Sequence, residues 1–215
     1  MYLALHKALN KLVYVDELRL FRLAWADADR SFLAAAGDWT ARALAPAEVE
    51  RFGGDAATGL HQPYLAEAQA NGDQCFALLD GERLASYSWY SQKPTILTGA
   101  FRLTYPSRYV YMHHSFTPEG YRGRRLHTIG IVLALRDWAQ RGHEEFLCVV
   151  SGDNTSSLKS TGRAGYRLVG RLWMAGARNH YVYRANRGCR RLGCYVLPSR
   201  PGIRFTALES RRFVA

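Results

Sequence analysis

Residues 109–116, Tyr-Val-Tyr-Met-His-His-Ser-Phe, form an apolar, aromatic-rich run that passes through Thr117-Pro118-Glu119-Gly120-Tyr121-Arg122-Gly123-Arg124-Arg125 into a helical pattern opening at Leu126-His127. A strand that feeds a helix this directly has few ways to continue. Apolar positions Leu126, Ile129, Val132, Leu133 and Leu135 to Trp138 recur at helical spacing, Gly142 supplies the stop, and residues 145–150 read as a buried strand. The helix therefore crosses between two strands expected to be parallel. Its start leaves backbone N–H groups without intrahelical partners at the positive end of the macrodipole, and Arg122, Arg124 and Arg125 add to that field. The junction predicts a cradle for an anion.

Around this block the elements can be read in order. Residues 17–25 alternate as a first strand; helical patches follow at 47–52, behind Pro46, and at 64–70, stopped by Asn71-Gly72. Residues 75–79 and 83–90 flank Asp80-Gly81, the pattern of a β-hairpin. Residues 91–106 are expected to lengthen this hairpin or add an edge strand. Ser151-Gly152-Asp153-Asn154 caps a helix that runs through Ala164 to Gly165, and residues 166–174 and 179–183 read as further strands, with 195–197 and 203–206 as additional candidates. The expected architecture is mixed α/β: one domain over 1–215, with a central, mostly antiparallel twisted sheet of about seven strands flanked by helices. Residues 1–15 are read as an amphipathic arm and 185–215 as a basic C-terminal extension. In the arm, Leu5, Ala8, Leu9 and Leu12 share a helical face, expected to dock on the domain or on a second copy in a homodimer.

Charge is unevenly placed. The chain carries +11 overall, but from Asn154 onward Lys159 and twelve arginines face only Glu209, so that segment holds +12 and the first 153 residues −1. An anionic partner is one reading, a solubilising surface the other. Cys75, Cys148, Cys189 and Cys194 read as reduced thiols of a cytoplasmic protein, with no convincing zinc spacing and no metal expected. No run approaches the roughly 20 apolar residues that span a bilayer.

Two blocks carry a resemblance. Arg122-Gly123-Arg124-Arg125-Leu126-His127 resembles the Q/R-x-x-G-x-G/A turn of the GNAT superfamily of acyl-CoA-dependent N-acyltransferases, with Arg125 and His127 in place of small residues. Downstream, Asn154, Ser157 and Gly165-Tyr166 match the family's Asn, small residue and Gly-Phe at the corresponding intervals. The resemblance runs from Tyr109 to Leu172 and extends more thinly back to Leu18. It implies a cosubstrate, acetyl-CoA or another acyl-CoA, held by Phe116, Thr117, Arg122, Gly123, Arg124, Arg125, Leu126, His127, Asn154 and Ser157. It also implies direct transfer to an amine, a splay between the strand at 109–116 and its parallel neighbour near residues 148–151, and a backbone N–H near Phe116 that holds the thioester carbonyl. Where the family often has a proton-donating tyrosine this chain has Thr161, whose aliphatic hydroxyl is a far weaker acid.

Amine acylation needs a base and a leaving thiolate that departs alone or is protonated. His113 and His114 are consecutive on a strand and so are expected on opposite faces, one of them as the base, with Glu119 as the carboxylate alternative. Tyr166 and Tyr121 are the candidate acids. The leading function is an N-acyltransferase, most simply an N-acetyltransferase, acting on an unidentified primary amine. The side chains at the loop's glycine positions motivate an alternative donor, an acyl carrier protein, whose acidic surface would suit the basic last third. A non-catalytic module that binds nucleic acid or another anion is the rival class. It is the less favoured because Trp173, Tyr181, Tyr183 and Tyr195 alternate with the arginines as core residues of strands would.

Overall fold

The computed structural model describes residues 14–207 except 61, 63, 99 and 178. Residues 1–13, and with them all of the proposed arm but Tyr14 and Val15, which belong to the first strand, lie outside the described residues, as do 208–215. Twelve strands form two sheets: β1 Tyr14–Ala24, β2 Thr40–Ala43, β3 Gln74–Asp80, β4 Arg83–Ser91, β5 Thr95–Thr98, β6 Phe101–Thr104, β7 Val110–Phe116, β8 Glu145–Ser151, β9 Arg167–Ala177, β10 His180–Ala185, β11 Tyr195–Pro198 and β12 Arg204–Ala207. The helices are α1 Ser31–Ala34, α2 Pro46–Gly53, α3 Tyr64–Asn71, α4 Leu126–Gln140, α5 Thr155–Ala164 and α6 Arg187–Arg191.

The main sheet runs β12-β10-β9-β1-β8-β7-β4-β3-β2, nine strands rather than about seven. It is antiparallel except at β7–β8 and β10–β12. Strand β1 is inserted between β8 and β9, antiparallel to both, so the connection from β8 through α5 steps over an occupied slot. Nothing in the alternation of β1 specifies this placement. It follows from two buried rows, Leu18 and Leu20, that pack with Leu147 and Leu172 in one core.

Residues 91–106 do not lengthen the hairpin. They fold as β5–β6, which joins β11 in a separate three-stranded sheet, order β11-β6-β5. Phe101 and Leu103 are wholly buried on the inner face of this small sheet. The segment from 185 is likewise no appendage, since β11 pairs with β6 and β12 with β10. Trp173 and Tyr195, expected in the core, are exposed, whereas Tyr181 and Tyr183 pack partly against it.

Three cores organise the layers. On one face of the sheet, Ile129, Val132, Leu133 and Trp138 of α4 pack with Phe76, Leu78, Met112 and Phe146. On the other, α2 and α3 set Val49, Phe52, Leu65 and Ala68 against Cys75, Ala77 and Trp89 of the hairpin. The small sheet covers the rest of that second face, with Phe101, Leu103 and Val196 on Tyr111, Leu147 and Leu172. Helix α5 is closed by Gly165 at φ 101°, where a Cβ would stand 2.4 Å from Asp27 O, so only glycine permits this close approach.

Candidate functional site

Strands β7 and β8 pair at Val110↔Phe146, Tyr111↔Leu147 and Met112↔Cys148, and no further. Beyond that point both strands continue, β7 to Phe116 and β8 to Ser151. The pair is therefore splayed, as expected from the resemblance. Any main-chain N–H of β7 that faces β8 past Met112 has no ladder partner on that strand.

On the α4 face, the end of β7, the turn and the starts of α4 and α5 enclose a cavity of about 530 Å³. Phe116, Thr117, Arg122, Gly123, Arg125, Leu126, His127 and Ser157 line it, joined by Ser160 and Arg163, which sequence reasoning missed. Gly123 takes φ +81°, and Arg125 holds φ +60° at the N-cap of α4 without a side-chain cap. Arg125 thus keeps the left-handed backbone a glycine would adopt, at a cost of about 1 kcal/mol. The first bond returning to the turn is Ile129 N–H to Arg125 O at 3.1 Å, which leaves the N–H groups of Leu126, His127 and Thr128 without intrahelical acceptors. His127 does not simply crowd this opening. Its Nδ1 lies 3.0 Å from Ser160 Oγ, whose own hydrogen goes to Ser157 O at 3.0 Å, so Nδ1 is the donor and the ring is the neutral tautomer. Burial pushes its pKa down to about 4, and Nε2 is buried without a partner.

Two of the proposed ligands stand apart. Arg124 is not in the lining; its guanidinium lies over the Tyr121 ring at 5.7 Å. Asn154 caps α5, its Oδ1 accepting from Ser157 N–H at 3.1 Å and Ser156 Oγ at 3.0 Å.

On the opposite face lies a second cavity of about 760 Å³, lined by His113 and His114 of β7, Val149 and Ser151 of β8, Tyr64 and Glu67 of α3, and Arg200. It adjoins a smaller one of about 300 Å³ that shares Tyr64, Glu67, Ile96 and His113. The expectation that His113 and His114 face opposite ways fails. The β4–β7 register skips His114, pairing Ser88 with Ser115 and Trp89 with His113, so His114 is the extra residue of a β-bulge at φ +37°. The bulge turns both rings to Tyr64: His114 stacks on it at 3.9 Å, and His113 lies 5.8 Å away. A strained non-glycine residue here costs of order 1–3 kcal/mol, the kind of distortion found at functional sites.

Tyr64 OH hydrogen-bonds His113 Nδ1, and His113 Nε2 lies 3.1 Å from Asp73 Oδ2, a close approach without hydrogen-bond alignment. Both His113 and Asp73 are nearly buried, and Asp73 Oδ1 accepts from Asn71 Nδ2 at 2.8 Å. Burial, with the Asp73 charge nearby, raises the Tyr64 phenol pKa and keeps it protonated. Such a chain can take a proton at Tyr64 while passing one to His113. Tyr64 and Asp73 were not foreseen, because nothing local marks a helix-start tyrosine and a post-turn aspartate as neighbours of a residue 40 or more positions later.

Tyr166, proposed as an acid, is a core residue. Its hydroxyl donates to Met112 Sδ at 3.9 Å, burial raises its pKa well above that of an ordinary phenol, and it lines neither the turn cavity nor the histidine cavities. Thr161 is buried and bonded back to Ser157 O and Leu158 O within its helix. Tyr121 lies in the turn cavity, its hydroxyl on Asp80 at 3.0 Å.

No family model matches the sequence, and no curated protein matches it. Solved structures do. A GNAT-family acetyltransferase from Colwellia psychrerythraea superposes with a TM-score of 0.55 at 14% identity, covering 82% of this chain and 61% of that one. A candidate GNAT-family acetyltransferase from Novosphingobium aromaticivorans gives 0.50 at 18%, covering 77% and 65%. A GCN5-related glucosamine N-acetyltransferase region of a fungal multi-domain GH3 β-N-acetylglucosaminidase gives 0.54 at 13%, covering 81% and 22%. The chain thus spans under two thirds of the length of each of these three. What they share with it is the fold: this is a GNAT fold, with its mostly antiparallel sheet flanked by helices.

Proposed function

We propose that the chain is an N-acyltransferase that moves an acyl group directly from acyl-coenzyme A to a primary amine. The observation that carries this reading is the gap between β7 and β8, with a basic cavity at the turn on one face and a histidine cavity on the other, both lined by consecutive residues of β7. Coenzyme A would supply the activated thioester. Arg122, Arg125 and Arg163, with the open N–H groups at the start of α4, suit its pyrophosphate end; the left-handed backbone at Arg125 supports the fit. A main-chain N–H of β7 that faces the gap beyond Met112 would polarise the carbonyl. From the opposite cavity, Tyr64 accepts the amine proton as its own passes to His113 Nδ1, and Asp73 steadies the imidazolium. His114, stacked on Tyr64, holds the phenol in place. No tyrosine is required as acid, because a thiolate leaves at a pKa of about 8.5.

The basic lining also suits the phosphopantetheine arm of an acyl carrier protein, so the donor is tested in both forms. Calorimetric titration with acetyl-CoA should give saturable binding that Arg122→Gln and Arg125→Gln each weaken by roughly 10- to 100-fold, the range for a charge-assisted hydrogen bond. Acyl transfer from acyl carrier protein without binding of acyl-CoA would reassign the donor; transfer from neither would remove the acyltransferase reading.

A further inference from the structure

The smaller cavity beside His113 is lined by one guanidinium, that of Arg102, which forms no ion pair among the described residues. Arg102 sits on β6 between Phe101 and Leu103, whose buried side chains fix the small sheet on the core, and it lines this cavity with Tyr64, Glu67, Asn71, Asp73 and His113. Its Nε is buried and makes no hydrogen bond. Among the described residues no carboxylate comes within 4.0 Å of its guanidinium, although Glu67 and Asp73 share the lining. The Asp73 carboxylate is already engaged by Asn71 and His113. A guanidinium kept partly out of water without an internal acceptor calls for an external one.

Building on the acyltransferase reading, we propose that Arg102 binds the carboxylate of the acceptor, and that the acceptor is an amino acid or a compound with an amino acid's paired amine and carboxylate. The planar fork of arginine matches a carboxylate through two parallel hydrogen bonds. A phosphate dianion fits less well, because Glu67 and Asp73 would repel its second charge. The same two acids favour an ammonium group at the Tyr64 end. The two cavities share Tyr64, Glu67, Ile96 and His113 in their linings, so a molecule with its anionic end on Arg102 would direct its amine toward Tyr64 and His113.

The test compares free amino acids with their carboxamides, which keep the amine and lose the charge, using thiol release from acetyl-CoA for the wild type and Arg102→Gln. The wild type should prefer the free acid by roughly 10- to 100-fold in kcat/KM, and Arg102→Gln should lose that preference through KM, its kcat/KM falling far more with the free acid than with the carboxamide. A second arm measures binding of N-acetyl amino acids by intrinsic tryptophan fluorescence, with unfolding temperature as the check on folding. Equal turnover of acids and carboxamides, or undiminished binding by a folded Arg102→Gln protein, overturns the proposal while leaving acyl transfer intact. Failure of acetyl-CoA to bind removes the parent reading instead, and the fluorescence arm still decides whether Arg102 holds a carboxylate.

Discussion

The two cavities that meet along β7 are assembled in opposite ways. The turn cavity comes from two compact stretches, residues 115–128 and 156–163, each a turn running into a helix start or the helix itself. The histidine cavities draw on β7, the start and end of α3, the small sheet and the loop at Arg200, segments scattered over most of the chain. A cavity made of helix starts offers backbone N–H groups and is suited to an anion of fixed kind. A cavity made of side chains from separate layers can be changed one residue at a time, which is where acceptor choice belongs. Under the proposed function, substitutions on one face should alter donor affinity, and on the other turnover and acceptor choice.

The strongest way to break that division is at His113. Replacing it with Gln removes the acceptor for the Tyr64 proton, and kcat should fall by roughly 10²- to 10⁴-fold, the usual range for general-base catalysis. Asp73→Asn should lower kcat less, because the imidazole survives and loses only the charge that steadies it. In both variants the dissociation constant for acetyl-CoA, measured by calorimetry, should match the wild type. A His113→Gln enzyme with full kcat would shift the base to the neighbouring His114.

On the turn side the sharpest probe is His127. Its pKa in the folded protein is about 4, against 6.5 for the free side chain, so between those values the unfolded chain binds more protons than the folded one. Stability should therefore fall as pH drops from 6.5 to 4, with a contribution on the order of 3 kcal/mol from this residue. The neutral ring, donating to Ser160, links α4 to α5 across the rim of the cavity. Urea unfolding across this window should show a shallower loss of stability for His127→Gln than for the wild type. Equal slopes would mean that the ring reaches water and titrates normally.

The same contrast explains what could be read in the sequence. The β3–β4 hairpin was legible because Asp80-Gly81 sets a turn between two apolar runs, and α4 because its apolar period ends at a glycine. The turn cavity was legible for the same reason, since its parts are neighbours along the chain. His113 and His114 are visible in the sequence as consecutive strand residues, but alternation predicts opposite faces, and a one-residue bulge set by the register against β4 reverses that. Tyr64, Asp73 and Arg102 carried no local signal because their meaning lies in packing between α3, β7 and the small sheet. The place of β1 was hidden likewise: a strand's own pattern shows which face is buried, not which neighbours it takes.

The smallest expected effect tests the position where the sequence suggested an acid and the fold supplies core. Tyr166 follows the Gly165 stop of α5 and packs with Met112, Cys148 and Val150 beneath the splayed pair. Its hydroxyl meets sulfur partners, the Met112 thioether and the Cys148 thiol, both weak acceptors, so Tyr166→Phe removes little hydrogen bonding and leaves the ring in place. Stability should change by less than about 1 kcal/mol. If the thiolate leaves unaided, kcat should stay within about twofold of the wild type, far below the 10²-fold or greater loss expected when a general acid is removed. A larger loss, with acetyl-CoA affinity and unfolding temperature unchanged, would mean that the phenol reaches the reacting thiolate through the gap beyond Met112 and Cys148. That gap would then have to widen during turnover, because the Tyr166 hydroxyl is buried against Met112 and lines neither the turn cavity nor the histidine cavities.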